Sequence, residues 1–306
     1  MTTTCVTGAF GYSGRFIAER LLARGDRVRT LTRSPDRESP LRGRVAPSAL
    51  DFDDPAALVR ALAGVDVLVN TYWVRFPAAG CSHAEAVEHS KTLFEAAQAA
   101  GVSRIVHVSI TNPSADSPYT YFRGKAAVES ALAETGVEHS ILRPAVFFGG
   151  SDILLNNIAW MLRRFPVFGV VGDGAYRLQP IHVEDFAALV ERETLAEGDR
   201  LVQAIGPETW SYRELVRRIG EAVGRPRPVL RVPRWAALLV ARRVGAAVGD
   251  VVLTGEELDA LRDDLLAVDA PPAGPTGLSA WLDTHAAGLG TRYANELDRR
   301  RDRERR

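Results

Sequence analysis

Three glycines spaced three apart, Gly8, Gly11 and Gly14, lie between two different kinds of segment. Before them is a short β-branched and apolar run, Thr3–Thr7 (TTCVT), which reads as a buried strand. After them Phe16, Ile17, Leu21 and Leu22 recur at helical spacing until Arg24-Gly25, a helix stop. Val28, Thr30 and Leu31 then form a second strand that ends at Thr32-Arg33-Ser34-Pro35. Strand, glycine turn, helix and strand within about 30 residues make the βαβ unit that holds a dinucleotide. A pyrophosphate must meet bare backbone N–H groups at the positive end of a helix. Glycines allow both the tight turn and that close approach. The first two glycines here are one residue further apart than in the G-x-G-x-x-G fingerprint.

The run Thr7-Gly8-x-x-Gly11-x-x-Gly14 resembles the signature of the extended and atypical branches of the short-chain dehydrogenase/reductase superfamily. That resemblance implies an α/β fold: a Rossmann-type doubly wound parallel sheet with a smaller C-terminal substrate-side domain. It also implies that Gly8, Gly11 and Gly14, with Phe10, Tyr12 and Ser13 of the same turn, hold the pyrophosphate of NAD or NADP. The strands that follow fit this scheme. One ends at Leu50-Asp51-Phe52 before Asp53-Asp54-Pro55, a capped helix start with proline in the first turn. Another runs from Val65 to Val69 and ends Asn70-Thr71-Tyr72-Trp73; a helix from about Ser82 to Ala100, closed by Gly101, follows it. Arg104 to Ser109 and Val137 to Leu142 are the fifth and sixth strands.

The end of the second strand chooses the cofactor. NAD calls for a carboxylate that accepts from both ribose hydroxyls, whereas NADP calls for a cation at the 2′-phosphate. Here no acid appears before Asp36, and Arg33 and Ser34 suit a phosphate, so NADP(H) is expected in preference to NAD(H). The other reading makes Arg33 one arginine among many on a solvated edge. The resemblance places Asp51 and Phe52 at the adenine and Asn70 and Thr71 near the adenosine ribose. Tyr72 and Trp73 depart from the small residues usual there and predict a bulkier wall.

Tyr121 and Lys125 lie at i and i+4 of a helical pattern that runs on to Glu134, so they share one face. A cation beside a phenol favours phenolate and lowers the tyrosine pKa toward a value useful in proton transfer. Lys91 and Lys125 are the only lysines among 38 basic residues, so an amine at this place in an arginine-rich chain points to a need for one. With seven tyrosines, chance would give a Tyr-x-x-x-Lys in roughly one such chain in twenty. The resemblance then makes Tyr121 the acid/base and Lys125 its partner and a ribose ligand. A hydroxyl must also hold the substrate oxygen. Thr111 fits by alignment of strand tips and Ser109 by spacing to the tyrosine, and both stand as candidates. Asn112 to Pro118 is turn-rich and would form a rim. The segment Arg143-Pro144-Ala145-Val146-Phe147-Phe148-Gly149 resembles one that family members place beside the nicotinamide, which assigns Pro144, Val146 and Phe147 to its carboxamide.

Beyond Gly149 the alternation breaks down. Residues 1–149, with a return at about 178–200, are expected to form the nucleotide domain, residues 150–177 and 201–292 the substrate side, and 293–306 a charged tail. Asp152 stands where it would cap an apolar helix from Ile153, and Ser211/Glu214 and Thr254/Glu257 read as capping boxes. His182 reads as an imidazole bonding backbone at the return, and the apolar residues from Trp235 to Leu239 read as core or substrate wall. This half, together with Asn70-Thr71-Tyr72-Trp73, is most similar to an atypical group that includes the nucleotide-binding accessory subunit of respiratory complex I.

The bulk numbers remove other classes. Acidic and basic residues balance at 38 each, so no overall field favours nucleic acid. Cys5 and Cys81 form no metal-ligand pattern, and no metal is expected. No stretch reads as a membrane span or a signal peptide, which makes the cytoplasm the expected compartment. A small-molecule substrate is the expected partner, and the oligomeric state does not follow from the residues. The sequence therefore points to an NADP(H)-dependent reductase, dehydrogenase or epimerase-like enzyme, with a non-catalytic NADP(H)-binding protein of redox sensing or assembly as the alternative.

Overall fold

Strands with no polar alternation are the rule in the first half, as befits a parallel sheet covered on both faces. The computed structural model describes residues 1–77 and 81–301. In chain order the elements begin β1 (Thr3–Thr7), α1 (Tyr12–Arg24), β2 (Arg27–Thr32), β3 (Ala46–Ala49), α2 (Pro55–Leu62) and β4 (Val67–Asn70). They continue α3 (His83–Ala99), β5 (Arg104–Val108), α4 (Thr120–Glu134), β6 (Glu138–Pro144), β7 (Val146–Phe148) and α5 (Leu154–Arg164). Next come β8 (Phe168–Val171), β9 (Arg177–Leu178), β10 (Pro180–His182), α6 (Val183–Glu193), β11 (Arg200–Ala204) and β12 (Trp210–Ser211). The chain closes with α7 (Tyr212–Ala222), β13 (Val229–Val232), α8 (Arg234–Val248), α9 (Gly255–Arg262), α10 (Leu278–His285) and α11 (Glu296–Arg301).

The chain divides into two units. Among the described residues the first comprises 1–77, 81–144 and 184–204, and the second comprises 145–183 and 205–301. In the first unit seven strands pair in the order β11-β6-β5-β4-β1-β2-β3, every pair parallel. The winding direction reverses between β1 and β4, where Thr4 lies opposite Val67, and ligands of open α/β sheets bind outside the carboxyl ends of the strands at such a point. One face of the sheet is covered by α2, α3 and α4, which bury Leu58, Leu62, Leu93, Phe94, Val128 and Leu132 against Leu68 and Ile105. On α1, Arg20 and Arg24 reach α6 through the Glu191 carboxylate (2.8 Å) and backbone oxygen (2.9 Å).

The strand β11 was not evident in the sequence. It is an edge strand whose Arg200 and Leu201 are exposed, so it lacks the continuous apolar run of its neighbours. Buried polar groups tie its connection to the sheet instead. Arg104 Nε donates to the Glu193 backbone oxygen (2.8 Å), Arg104 also donates to Ser140 Oγ (2.6 Å), and Ser140 Oγ donates to Glu193 Oε2 (2.9 Å).

The second unit has its own core, in which α5, α7 and α10 bring Leu155, Ile158, Leu162, Leu215, Ile219 and Leu282 together with Phe148 and Phe168. Three two-stranded pairs, β7 with β10, β8 with β13 and β9 with β12, complete it. Both expected capping boxes form, Ser211 with Glu214 and Thr254 with Glu257. Asp152 Oδ1 accepts from Leu155 N at 2.8 Å, as its place before α5 suggested. The helix α8 differs from expectation. It buries Ala241, Val244 and Gly245, and leaves Trp235 (70%), Leu239 (45%) and Val240 (58%) exposed rather than in a core. Among the described residues no helix is long and apolar enough to cross a membrane.

Candidate functional site

The glycine turn is built so tightly that only glycine fits it. Gly8 takes φ +67°, its N–H donates to Leu31 O (2.9 Å), and its own oxygen accepts from Gly11 N (2.7 Å). A Cβ on Gly14 would stand 2.3 Å from the Gly8 oxygen, and one on Gly11 would stand 3.0 Å from it. Thr30 pins the turn from below, donating to Val6 O (2.7 Å) and accepting from Ala9 N (3.1 Å). Phe10 is buried, and Tyr12 and Ser13 open α1 half-exposed. No side chain caps α1 and no acid stands in its first turn. The positive end of a 13-residue helix therefore faces a turn whose backbone no Cβ shields, and these residues fit a pyrophosphate.

The carboxyl ends of β1, β4 and β5 are joined by buried polar groups. Thr71 N donates to Thr7 Oγ1 (2.7 Å) and Thr71 Oγ1 to Thr7 O (2.6 Å). Thr7 Oγ1 also donates to Asn70 Oδ1 (3.2 Å), and Asn70 Nδ2 donates to His107 Nδ1 (3.1 Å). Burial and the nearby Lys125 hold His107 well below the usual histidine range, so it is neutral, and its Nε2 has no hydrogen-bond partner among the described residues. Asn70 and Thr71 thus serve the strand tips directly, whatever they do for a ligand.

At the end of β2 the Arg33 guanidinium lies 5.7 Å from the ring centroids of both Phe52 and Tyr72. Phe52 stacks on His89 at 4.2 Å and 3°, and the Tyr72 hydroxyl meets His89 Nδ1 at 2.7 Å. Arg33 is exposed and makes no ion pair among the described residues, so its charge is available to an anion. Ser34 N donates to Thr32 Oγ1 (3.1 Å), which turns the chain after the strand, and Asp51 Oδ1 accepts from Asp53 N (3.0 Å). His89 had no signal in the sequence: its place in this cluster depends on α3 carrying it to Phe52 and Tyr72, which follow β3 and β4.

Tyr121 and Lys125 lie one turn apart on α4, as their spacing predicts. Lys125 is 2% exposed, its Nζ donates to Val108 O at 2.8 Å, and burial pushes its pKa down to about 7, against a smaller upward pull from Glu129. The Trp73 indole lies 4.6 Å from that Nζ, and it meets the Tyr121 ring edge-on at 5.7 Å. His83 stacks parallel to Trp73 and stands perpendicular to Tyr121 at 5.6 Å. A Cβ on Gly124 would fall 2.8 Å from Trp73 Cη2, so the glycine before the lysine makes room for the indole. Tyr72 closes on Phe52 and Arg33, and Trp73 bounds both members of the pair.

The residue after Val108 is Ser109, whose Oγ is buried with no hydrogen-bond partner among the described residues. An unpaired buried hydroxyl costs about 1–3 kcal/mol, which is tolerable where a ligand supplies the partner. Thr111 is also fully buried, and the backbone N–H groups of Ser109 and Thr111 donate to Leu142 O (2.7 Å) and Pro144 O (3.0 Å), extending β5 past its last strand residue. Asn112 then takes φ +51° and turns the chain into the 112–118 segment. Pro144 closes β6 in the first unit. Val146 and Phe147 belong to β7 in the second, opposite Pro180 and Ile181. There His182 packs against Phe148 at 5.1 Å, and a Cβ on Gly149 would lie 2.4 Å from its Nε2. Cys5 is buried, and its thiol is pushed up to about 12. Among the described residues no cluster of His, Cys, Asp and Glu could hold a metal.

Residues 8–153 match a family model described as NAD(P)H-binding. The mitochondrial NADH dehydrogenase [ubiquinone] 1 alpha subcomplex subunit 9 of Arabidopsis thaliana is 28% identical over 222 residues, which cover 69% of this chain and 55% of that protein. The chain therefore spans about half the length of that relative. The NADPH-dependent quinone oxidoreductase of Escherichia coli, solved with NADPH, superposes with a TM-score of 0.74 at 20% identity, over 91% of this chain and 98% of its own. The triphenylmethane reductase of Citrobacter sp., solved with NADP(H), does so with a TM-score of 0.75 at 18% identity, over 93% and 99%. At such identities the structures speak for the fold. The family match and the sheet order agree on an NAD(P)H-binding domain of Rossmann type, and the chain is similar to the reductases and the complex subunit above.

Proposed function

We propose that this protein is an NADP(H)-dependent oxidoreductase acting on a small carbonyl or hydroxyl compound. The observation that carries the reading is the buried Ser109 hydroxyl without a partner, next in sequence to Val108, whose oxygen holds Lys125. The turn Gly8, Phe10, Gly11, Tyr12, Ser13 and Gly14 would hold the pyrophosphate. Arg33 and Ser34 would take the 2′-phosphate, Asp51 and Phe52 the adenine, and Pro144, Val146 and Phe147 the carboxamide. Two relatives of the fold carry NADPH or NADP(H) in their solved forms, which supports the phosphate reading of Arg33. Bound there, the cofactor supplies or accepts hydride.

The chain's own residues handle the oxygen and its proton. Ser109 Oγ, or Thr111 Oγ1, donates to the substrate carbonyl and holds the negative charge that builds on its oxygen. The Tyr121 hydroxyl then gives its proton to that oxygen, and the alcohol leaves neutral. The Lys125 amine, with a pKa near 7, carries its charge in a substantial fraction of molecules at neutral pH and stabilises the phenolate left behind. Trp73 helps to shield the Lys125 amine from water and packs against the Tyr121 ring. Small carbonyls screened with NADPH oxidation as readout supply the assay. Tyr121→Phe should keep cofactor affinity and lower turnover by about 10² or more, because proton transfer of this kind is worth that much. Loss of cofactor binding in step with turnover would refute the acid/base role.

A second reading, a non-catalytic NADP(H)-binding protein of assembly or redox sensing, draws on one feature: the Trp73 indole lies over the Lys125 amine, where the proposed reaction needs a ribose and a phenolate. The plant relative is by name a subunit of a larger complex, which agrees with it. Tight NADPH binding with no oxidation across a broad carbonyl panel would favour it.

A further inference from the structure

The chain has no net charge, yet from Arg225 to Gly249 it carries six arginines and no acidic residue. These are Arg225, Arg227, Arg231, Arg234, Arg242 and Arg243. Two are used within the second unit: Arg234 pairs with Asp259 (2.6 Å), and Arg227 donates to Leu162 O (3.2 Å). Arg225, Arg231, Arg242 and Arg243 are exposed and make no ion pair among the described residues. The acid that Arg231 influences is Asp173, whose own bond is to Ala175 N.

The same segment exposes large apolar side chains. At the helical repeat, Trp235, Leu239 and Arg243 lie on the side of α8 opposite Ala241, Val244 and Gly245, with Val240 and Arg242 at its two borders. Of these apolar residues Trp235 is 70% exposed. Leu230 of β13, which pairs with β8 beneath the helix, is 47% exposed. Water is a poor solvent for these side chains, and exposed large apolar residues set among cations mark a contact.

We propose that α8 lies on the surface of an anionic lipid bilayer, with Trp235, Leu239 and Val240 in the headgroup region and Arg231, Arg242 and Arg243 against the lipid phosphates. The combination of a shallow apolar face, an indole at one end and unpaired arginines is what interfacial helices use. A second copy of the chain fits the face poorly, since a twofold contact would set each arginine cluster against itself. The helix rests on the bilayer and does not span it.

Sedimentation of the full chain with vesicles tests the assignment. Phosphatidylcholine containing phosphatidylglycerol should carry the protein down, phosphatidylcholine alone should not, and added salt should release it. Arg242→Ala with Arg243→Ala should weaken binding roughly 25-fold, about fivefold for each charge lost. Trp235→Ser with Leu239→Ser should abolish it at any salt concentration. All four side chains are exposed, and thermal melts with cofactor titration confirm that each variant is folded. Deleting residues 302–306, which also carry arginines, should leave binding unchanged. The proposal fails if anionic vesicles do not sediment the protein at low salt. It fails equally if binding survives both double variants or disappears with the tail. A dimer that Leu239→Ser dissociates, without vesicle binding, would replace it with self-association.

Discussion

Two buried ionisable groups, one in each unit, depart from their ordinary behaviour in opposite directions. In the first unit Lys125 is taken from 10.5 down to about 7, and in the second Asp152 is taken from 3.8 up to about 7. Burial is the largest cause in both, because each side chain in its charged form loses water. Their roles differ. Asp152 is bound to its helix, its Oδ1 accepting from the first turn of α5, and the neighbouring fold explains it. Lys125 has one backbone oxygen and an indole for company, and local packing gives no reason for an amine there. A buried amine where hydrocarbon would serve better for stability agrees with the working role proposed for it. The comparison also covers apolar surface: the first unit partly covers its aromatic residues around the strand tips, and the second leaves Trp235 in water.

The largest expected effect is at the glycine turn. Gly14→Ala places a methyl 2.3 Å from the Gly8 oxygen and 2.9 Å from its carbon, so the turn must open. NADPH affinity should fall by about 10² or more, and stability by about 1–3 kcal/mol, as in other overpacked sites. Isothermal titration and denaturant melts measure the two losses. Retained affinity would mean that the cofactor does not lie on this turn.

The opposed pair of buried groups gives a difference of sign. A lysine with a lowered folded pKa is unfavourable below about 7, where both folded and unfolded chains are protonated, and the penalty lifts as pH rises toward 10.5. Lys125→Met should therefore stabilise the protein at pH 7 by on the order of a few kcal/mol while impairing the proposed activity, and should remove the rise in Tm between pH 7 and 10. An aspartate with a raised folded pKa acts in reverse: its contribution is present below 3.8 and is lost as pH rises through about 7. Asp152→Asn, which keeps an acceptor for Leu155 N, should flatten the decline of Tm between pH 4 and 7 without touching NADPH binding. Parallel slopes in the two variants would break the comparison.

The smallest expected effect concerns Arg33. Its guanidinium is exposed, so a 2′-phosphate bound there gains a few kcal/mol at most. Arg33→Ala should reduce NADPH affinity by about tenfold to a hundredfold and leave NADH affinity nearly unchanged. Titrations of both cofactors read this directly, and equal losses for the two would place Arg33 elsewhere than at the phosphate.

Much of this was legible along the chain, for a definite reason. The glycine turn, the first helix, the buried strands and the Tyr121/Lys125 spacing are local patterns, readable because turn chemistry and side-chain periodicity act over a few residues. Capping boxes such as Ser211/Glu214 are readable on the same ground. The edge strand β11 was not, since exposed Arg200 and Leu201 carry no buried-strand pattern. Nor was His89, whose stacking on Phe52 joins residues far apart in the chain.

By itself, then, the sequence determined the nucleotide-binding half: the order of its elements, the turn that only glycine allows, and the pair of residues brought to one helical face. Only the tertiary structure decided which of those groups are buried and against what. It set Trp73 over Lys125, and so the pKa of the amine, because desolvation depends on every atom packed around a side chain. It also decided the exposed face of α8. Apolar residues surround that helix, so their periodicity cannot choose a side, and the choice belongs to what the helix packs on, β8 among it.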